Sequence, residues 1–432
     1  MIGLSDRIEC NISGGFDVPL PRMVPVRVTF EKPVLQDIPG AVASGFASGN
    51  LKSVIQPGMS IAIGCGSRGV ANIAQAAKAV VDQVKALGGK PFIFPAMGSH
   101  GSATAEGQAS VLAGYGITEA EMGCPIRATM ETVELGSLED GTPVYIDRFA
   151  AEADGIALIN RVKPHTNFRA PLESGIVKMM TIGMGKIKGA NTLHTHGMDS
   201  FGDLLPKVAR LIMAKTNFLF GVGLVENADH ETAMVEVMPA ASLFEQETKL
   251  QTRSKELIGR LLFDEIDVLL IDEMGKNISG AGFDPNVTGR NNRNVPWDSK
   301  PAIQKIVVLD LTPITHGNAT GLGLADVITM KLFKQVDPMP TYSNVITSAY
   351  LDGGAIPMIM NTEEEALKLA VRACVRVKPA ESRIVRIKNT LELSEILVSE
   401  PMLPLVEAHP QMSVAGAPAA FTFDAQGNLR AA

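Results

Sequence analysis

The 432-residue chain is 46% hydrophobic and 20% charged, enough apolar material for more than one core, so two globular domains are expected. A net charge of −7 with one Trp and four Tyr excludes the nucleic-acid footprint of basic surface and stacking aromatics. No run of 18 uncharged apolar residues occurs, and the start, MIGLSDRIECNISGG, lacks a basic stretch followed by an apolar one, so no membrane association or export is expected. The four cysteines, Cys10, Cys65, Cys124 and Cys374, form no CxxC pair, which argues against a disulfide framework, a zinc ribbon or a cysteine-held iron–sulfur cluster and fits a reducing cytoplasm.

SIAIGC, VANIAQAAKAVVDQVKALGG and PFIFPA read as strand, helix with a Gly-Gly stop, and strand. A helix to about Leu112, a buried strand GIALIN, and a helix DSFGDLLPKVARLIMAK despite its Pro continue the pattern of a mostly parallel, helix-covered sheet. After the helical ASLFEQETKLQTRSKELIGRLLF a new alternation begins with IDVLLID and KIVVLDL and runs through a Thr362-x-x-Glu365 capping box to SRIVRIK. The expected fold is therefore α/β, with two domains, 1–262 and 263–432, and a cleft between them. The polar stretch 272–301 reads as a long functional loop, and the tail AGAPAAFTFDAQGNLRAA as a segment that frays or packs back on the first domain.

Gly64-x-Gly66-x-x-Gly69 sits where a dinucleotide fingerprint would. The next strand nevertheless ends in Phe94-Pro95-Ala96, with no carboxylate for a ribose, so a tight βα turn is the simpler reading. Arg68, at the mouth of that turn, suits a ligand carboxylate or a surface ion pair. His100 and His165 each follow a predicted strand. The carboxyl ends of parallel strands converge, so the two rings can serve as acid and base across a small ligand. Between Arg161 and Lys188 six cations stand against Glu173 alone, a balance of +5 that favours an anionic ligand. The lysines of GMGKIKG (183–189) match no phosphate loop and compete with a solvated basic face. In His194-Thr195-His196 the two rings share a face only on an extended strand, and no third ligand stands at a familiar zinc spacing.

Taken in order, Ser67-Arg68-Gly69, Gly98-Ser99-His100, Pro164-His165, Ser174-Gly175-x-x-Lys178 and His194 resemble the nickel-dependent lactate racemases over most of the first domain. That resemblance implies a nickel-pincer nucleotide joined by a thioamide to Lys178, with nickel held by two sulfurs, a ring carbon and His194. It further implies acid/base roles for His100 and His165, contact with substrate or cofactor for Arg68, and cofactor contacts around Ser67, Ser174 and Gly175. Lys276 is the expected second-domain residue, with Arg290 as alternative. The implied activity is racemisation or epimerisation of a small 2-hydroxy acid by hydride transfer at C2, after loading by cofactor-synthesis proteins. The family's Asp-x-Thr-Arg turn reads Cys65-Gly66-Ser67-Arg68 here, and 13 residues separate His165 from Lys178, a longer interval than in the lactate enzymes. These departures bear on the substrate: a larger or polyhydroxylated acid, such as an aldonate, would be served by Asn277, Asn286 and Arg290. A non-catalytic binding protein for an anionic metabolite and an NAD-dependent dehydrogenase using Asp82 or another carboxylate are the alternatives. His100, His165, Lys178, His194 and Arg68 are expected to line one cleft beneath the 272–301 loop.

Overall fold

SIAIGC, KPFIFP, GIALINR and FLFGVGLVE carry almost no polar residues, as strands buried on both faces require. In the computed structural model, which describes residues 7–8, 12–66, 69–291, 297 and 300–430, they form Ser60–Cys65, Lys90–Pro95, Gly155–Arg161 and Phe218–Glu226. These four strands are parallel, and Thr232–Pro239 closes the sheet antiparallel to the last of them. Alternate residues face opposite layers. Ala62, Phe92, Phe94, Ile156 and Leu158 pack in one core, and Ile61, Ile63, Cys65, Ile93 and Ile159 in another. Helix Ile73–Ala86 covers the second core and is followed by Gly88 at φ +85°, the left-handed position a helix stop favours.

This sheet belongs to a unit spanning Glu31–Ile258; the described residues up to Phe30 join those from Gly259 onward in a second unit. The observed division therefore departs from 1–262 and 263–432 at the start of the chain. Met23–Val28, with its alternating MVPVRV, pairs antiparallel with Glu395–Ser399 and Met412–Val414. The second sheet has eight strands, with Met358–Met360, Val327–Thr329, Ala302–Leu311, Glu265–Met274 and Ile384–Ile387 parallel and an antiparallel edge beyond them. Thr362 Oγ1 caps helix Glu363–Arg372 through Glu365 N at 3.1 Å, while Glu365 reaches back to Asn361 N, one residue short of the reciprocal bond.

The tail packs on the second unit's core instead of fraying, and that core includes Met23, which lies within the 1–262 span on which the tail was expected to pack. Ala419 bridges Met23, Phe421 and Phe423 stack at 6.3 Å, and both join Leu429 against the core of Val268, Leu270 and Val307. No helix among the described residues is long and apolar enough to cross a membrane. Replacing Phe421 and Phe423 together by Ala should lower unfolding free energy by about 2–4 kcal/mol, short of two fully buried Phe because both are half-exposed. A urea titration showing less than about 0.5 kcal/mol would mean that the tail contributes only surface.

Candidate active site

Cys65 aligns with both Pro95 and Ile159, and Ile159 with Val222, so the carboxyl ends of the parallel strands lie level and their loops emerge together. The glycines of the first turn serve close packing. A Cβ on Gly64 would stand 2.5 Å from Leu158 Cδ2, and one on Gly66 2.6 Å from Asn160 Oδ1, whereas Gly69 has room. Asp82, a carboxylate that a nucleotide ribose could use, is held by Lys78 at 2.5 Å on the exposed face of its helix. Ser67 and Arg68 lie outside the described residues.

Lys178 ends the short helix Ile176–Lys178, which runs directly into a π-helical turn, Met179–Gly183, a geometry often found at functional sites. Gly175 opens this segment. A Cβ there would lie 2.0 Å from Glu247 Oε1, so only glycine admits the Glu247 carboxylate, which accepts from Val177 N at 3.0 Å. Burial pushes Glu247 up to about 8, against the lowering effect of the Val177 and Ile176 N–H groups. Ser174 is engaged through its backbone, accepting from Lys163 N at 2.9 Å and donating to Gln251 Oε1 at 3.3 Å. Neither Asn160, whose amide donates to Gly175 O at 3.1 Å, nor Glu247 was singled out from the sequence.

His165 and His194 meet through an aromatic chain. The His165 ring lies 4.5 Å from Phe168, Phe168 lies 5.8 Å from Phe201, and Phe201 lies 5.3 Å from His194. Glu173, fully buried, accepts from the backbone N of His165 at 2.7 Å and of Ala170 at 3.1 Å and pairs with Lys255, which fixes this loop. Asn167 N donates to His165 Nδ1 at 3.0 Å, so the neutral ring carries its proton on Nε2. His194 ends helix Lys186–His194, and its Nδ1 is buried with no hydrogen-bond partner. Burial, then the Lys178 charge, pushes this ring down to about 4, so it is neutral and a lone pair is available. His196, beyond the helix, meets Thr142 Oγ1 at 3.0 Å instead. Among the described residues no group of three or more His, Cys, Asp or Glu could hold a metal, so an ion at His194 would need most of its ligands from another molecule.

His100 follows Lys90–Pro95 in an exposed turn packed on the same segment: Gly98 N donates to Gly183 O at 3.0 Å. Part of the excess of cations between 161 and 188 is offset by carboxylates distant in sequence: Arg161 pairs with Glu226 and Lys186 with Asp147. Lys186 is wholly buried, which corrects the solvated-face reading for that lysine. In the second unit, Lys276 Nζ donates to Gly280 O at 2.8 Å. Arg290 pairs with Asp326 and donates to Leu324, Ile303 and Gln304 carbonyls, so as alternative to Lys276 it is spent on holding that unit together. Asn286 donates to Asp284 and Asn277 accepts from Thr312, so these side chains already have partners of their own.

Two outcomes follow from the Glu247 contact. Gly175→Ala should cost about 1–3 kcal/mol by overpacking, read by urea unfolding; an unchanged midpoint would show that the Glu247 contact yields freely. An unfolded Glu loses its proton above its ordinary 4.5, whereas folded Glu247 keeps it to about 8, so the folded state binds the extra proton and stability falls as pH rises across that window. Glu247→Gln should remove this slope, about 1.4 kcal/mol per pH unit. Parallel stability profiles for the two proteins would contradict it.

The family model for the lactate racemase N-terminal domain matches residues 20–201, a span that includes Arg68, His100, His165, Lys178 and His194. The lactate racemase apoprotein from Thermoanaerobacterium thermosaccharolyticum has a similar fold, with a TM-score of 0.50 at 12% identity over 85% of this chain and 94% of that one. No curated protein sequence matches significantly. The resemblance thus lies in residues 20–201, which match the lactate racemase N-terminal domain model, and in a fold shared with the lactate racemase apoprotein.

Proposed function

We propose that the chain is a cytoplasmic racemase or epimerase that inverts C2 of a 2-hydroxy acid, with a nickel-pincer nucleotide tethered to Lys178 and its nickel bound by His194. One observation carries the reading: a buried imidazole, held neutral with an unpartnered Nδ1, lies within electrostatic reach of Lys178 in a segment of the lactate racemase family. A neutral nitrogen without a partner is what a metal requires of histidine and what a structural histidine avoids. When bound, the nucleotide would supply acceptance and return of the C2 hydride, the step that no side chain can perform.

The chain's own residues then orient and move protons. Arg68 pairs with the substrate carboxylate or the cofactor. His100 and His165 hold the C2 hydroxyl and take or return its proton from opposite sides. The Asn167 bond gives His165 a distinct starting state. Its neutral ring presents Nε2–H as a donor, and accepting a proton there requires the other tautomer and loss of that bond.

Intact mass after co-expression with cofactor-synthesis proteins tests the tether. Wild type should carry a covalent adduct and Lys178→Ala none, whereas an unmodified wild type under conditions that load a known lactate racemase would overturn the proposal. His194→Ala should lose nickel and His196→Ala retain it, measured by metal analysis; the reverse would reassign the ligand. His100→Ala and His165→Ala should keep the adduct while slowing turnover by about 10² to 10⁴. Full activity in either variant would remove that histidine from the mechanism.

A further inference from the structure

Lys186 and Gln108 have no part in the chemistry above, yet both side chains are entirely buried beside the loop that bears His100. The Lys186 ammonium donates to Pro95 O and to Gln108 Oε1 at 3.0 Å, and Asp147 Oδ2 lies 3.0 Å away as its ion-pair partner. Asp147 is held in turn, its Oδ1 accepting from Phe149 N at 2.8 Å and Ala150 N at 3.2 Å. Wholly buried, Lys186 is turned toward these three protein oxygens and away from solvent. The lysine can only donate, so it forces the Gln108 oxygen toward itself and the amide nitrogen the other way. That nitrogen donates to Gly98 O at 3.0 Å and to His100 O at 3.2 Å.

The loop so gripped is a strained one. Gly98 and Gly101 have φ +58° and +62°, and Ser102 and Ala103, which are not glycine, follow at +56° and +53°. Lys186 itself sits at φ +54°. Left-handed backbone at side-chain-bearing residues persists where surrounding contacts over-determine it, and here those contacts converge on the carbonyls of the His100 turn.

We propose that Gln108, polarised by the buried Lys186–Asp147 pair, is the positioning residue for His100. The role in catalysis rests on the racemase reading; the positioning itself does not. Two substitutions separate donation from space-filling. Gln108→Glu keeps size and the Lys186 contact and replaces the donating amide nitrogen by a carboxyl oxygen facing the Gly98 and His100 carbonyls. Gln108→Met keeps bulk and removes both polar functions.

The primary readout is the ring ¹⁵N–¹H spectrum of histidine-labelled protein, with His100 assigned through His100→Gln. Both Gln108 variants should shift or broaden the His100 resonances and leave those of His165 and His194 in place. In adduct-bearing enzyme kcat should fall by about 10- to 100-fold with KM within about twofold, as displacement of a reacting group requires. His100 resonances at their wild-type positions in a folded Gln108→Met or Gln108→Glu protein would overturn the proposal. If loaded wild type racemises nothing, the racemase reading fails, and the spectra still decide whether Gln108 positions His100.

Discussion

The level carboxyl ends of the four parallel strands are the constraint on which everything else in the Glu31–Ile258 unit depends. Parallel hydrogen bonding places Cys65, Pro95 and Ile159 side by side, so the turns beyond them must share one region whatever their sequences. The turn at Gly66 meets Asn160 and Met179, the His100 turn meets Gly183, and the segment of Lys178 and His194 lies against both. Each close approach is met by a glycine or by a polar side chain with an assigned partner. The cluster is thus a property of strand register first and of individual contacts second.

Burial of charge is the second organising feature. Glu173, Asp147, Lys186 and Glu247 are sealed from water close to the candidate site, and an unpaired ion there would cost several kcal/mol. Three are compensated by opposite charges, and Glu247 by backbone N–H groups together with a tendency to stay protonated. Each buried ion ties elements far apart in sequence: Lys186 joins the end of one strand to two helices, and Glu173 joins the His165 loop to helix Leu243–Leu257. A group that must hold its neighbours at fixed distance while ligands come and go gains from this, because breaking either partner is penalised more than the pair is rewarded.

Much of the architecture was legible in the chain because strand burial and helix amphipathicity repeat at short range. The strands around His100 and His165 and the helix Phe201–Lys215 with Pro206 inside it followed from local pattern alone. The candidate residues emerged from order and spacing within a family resemblance, a signal that also survives without coordinates. What escaped depends on distant partners. Glu247 looks like one of many charges in LFEQETKLQTRSKEL. Its burial was foreshadowed only by its place on the stripe of Leu243, Leu250 and Leu257. Lys186 alternates with Met, Ile and Gly rather than with other charges, a hint of burial that net charge obscured. The π-turn after Lys178 has no sequence signature, and the pairing of Met23–Val28 with strands some 370 residues later is a long-range event no local window reports.

Cys65 bears on the substrate in a way that a comparison of residue types would miss. The family's acidic residue would fall at this position, but the Cys65 side chain is fully buried in the core beside Ile63 and Ile93, and burial pushes its thiol up to about 12. A carboxylate directed there would lie among aliphatic side chains, an environment that would force it neutral. The thiol is therefore part of the packing, and this strand end supplies neither a charge nor a proton acceptor at neutral pH. At His194 the charge that acts on the ring, after burial itself, is that of Lys178. Acylation of Lys178 through a thioamide would discharge its ammonium and remove the lesser of the two influences that disfavour a charge on His194. Tethering and metal binding at neighbouring residues would then be electrostatically compatible, since the metal would bring its positive charge to a place from which the lysine's had been removed.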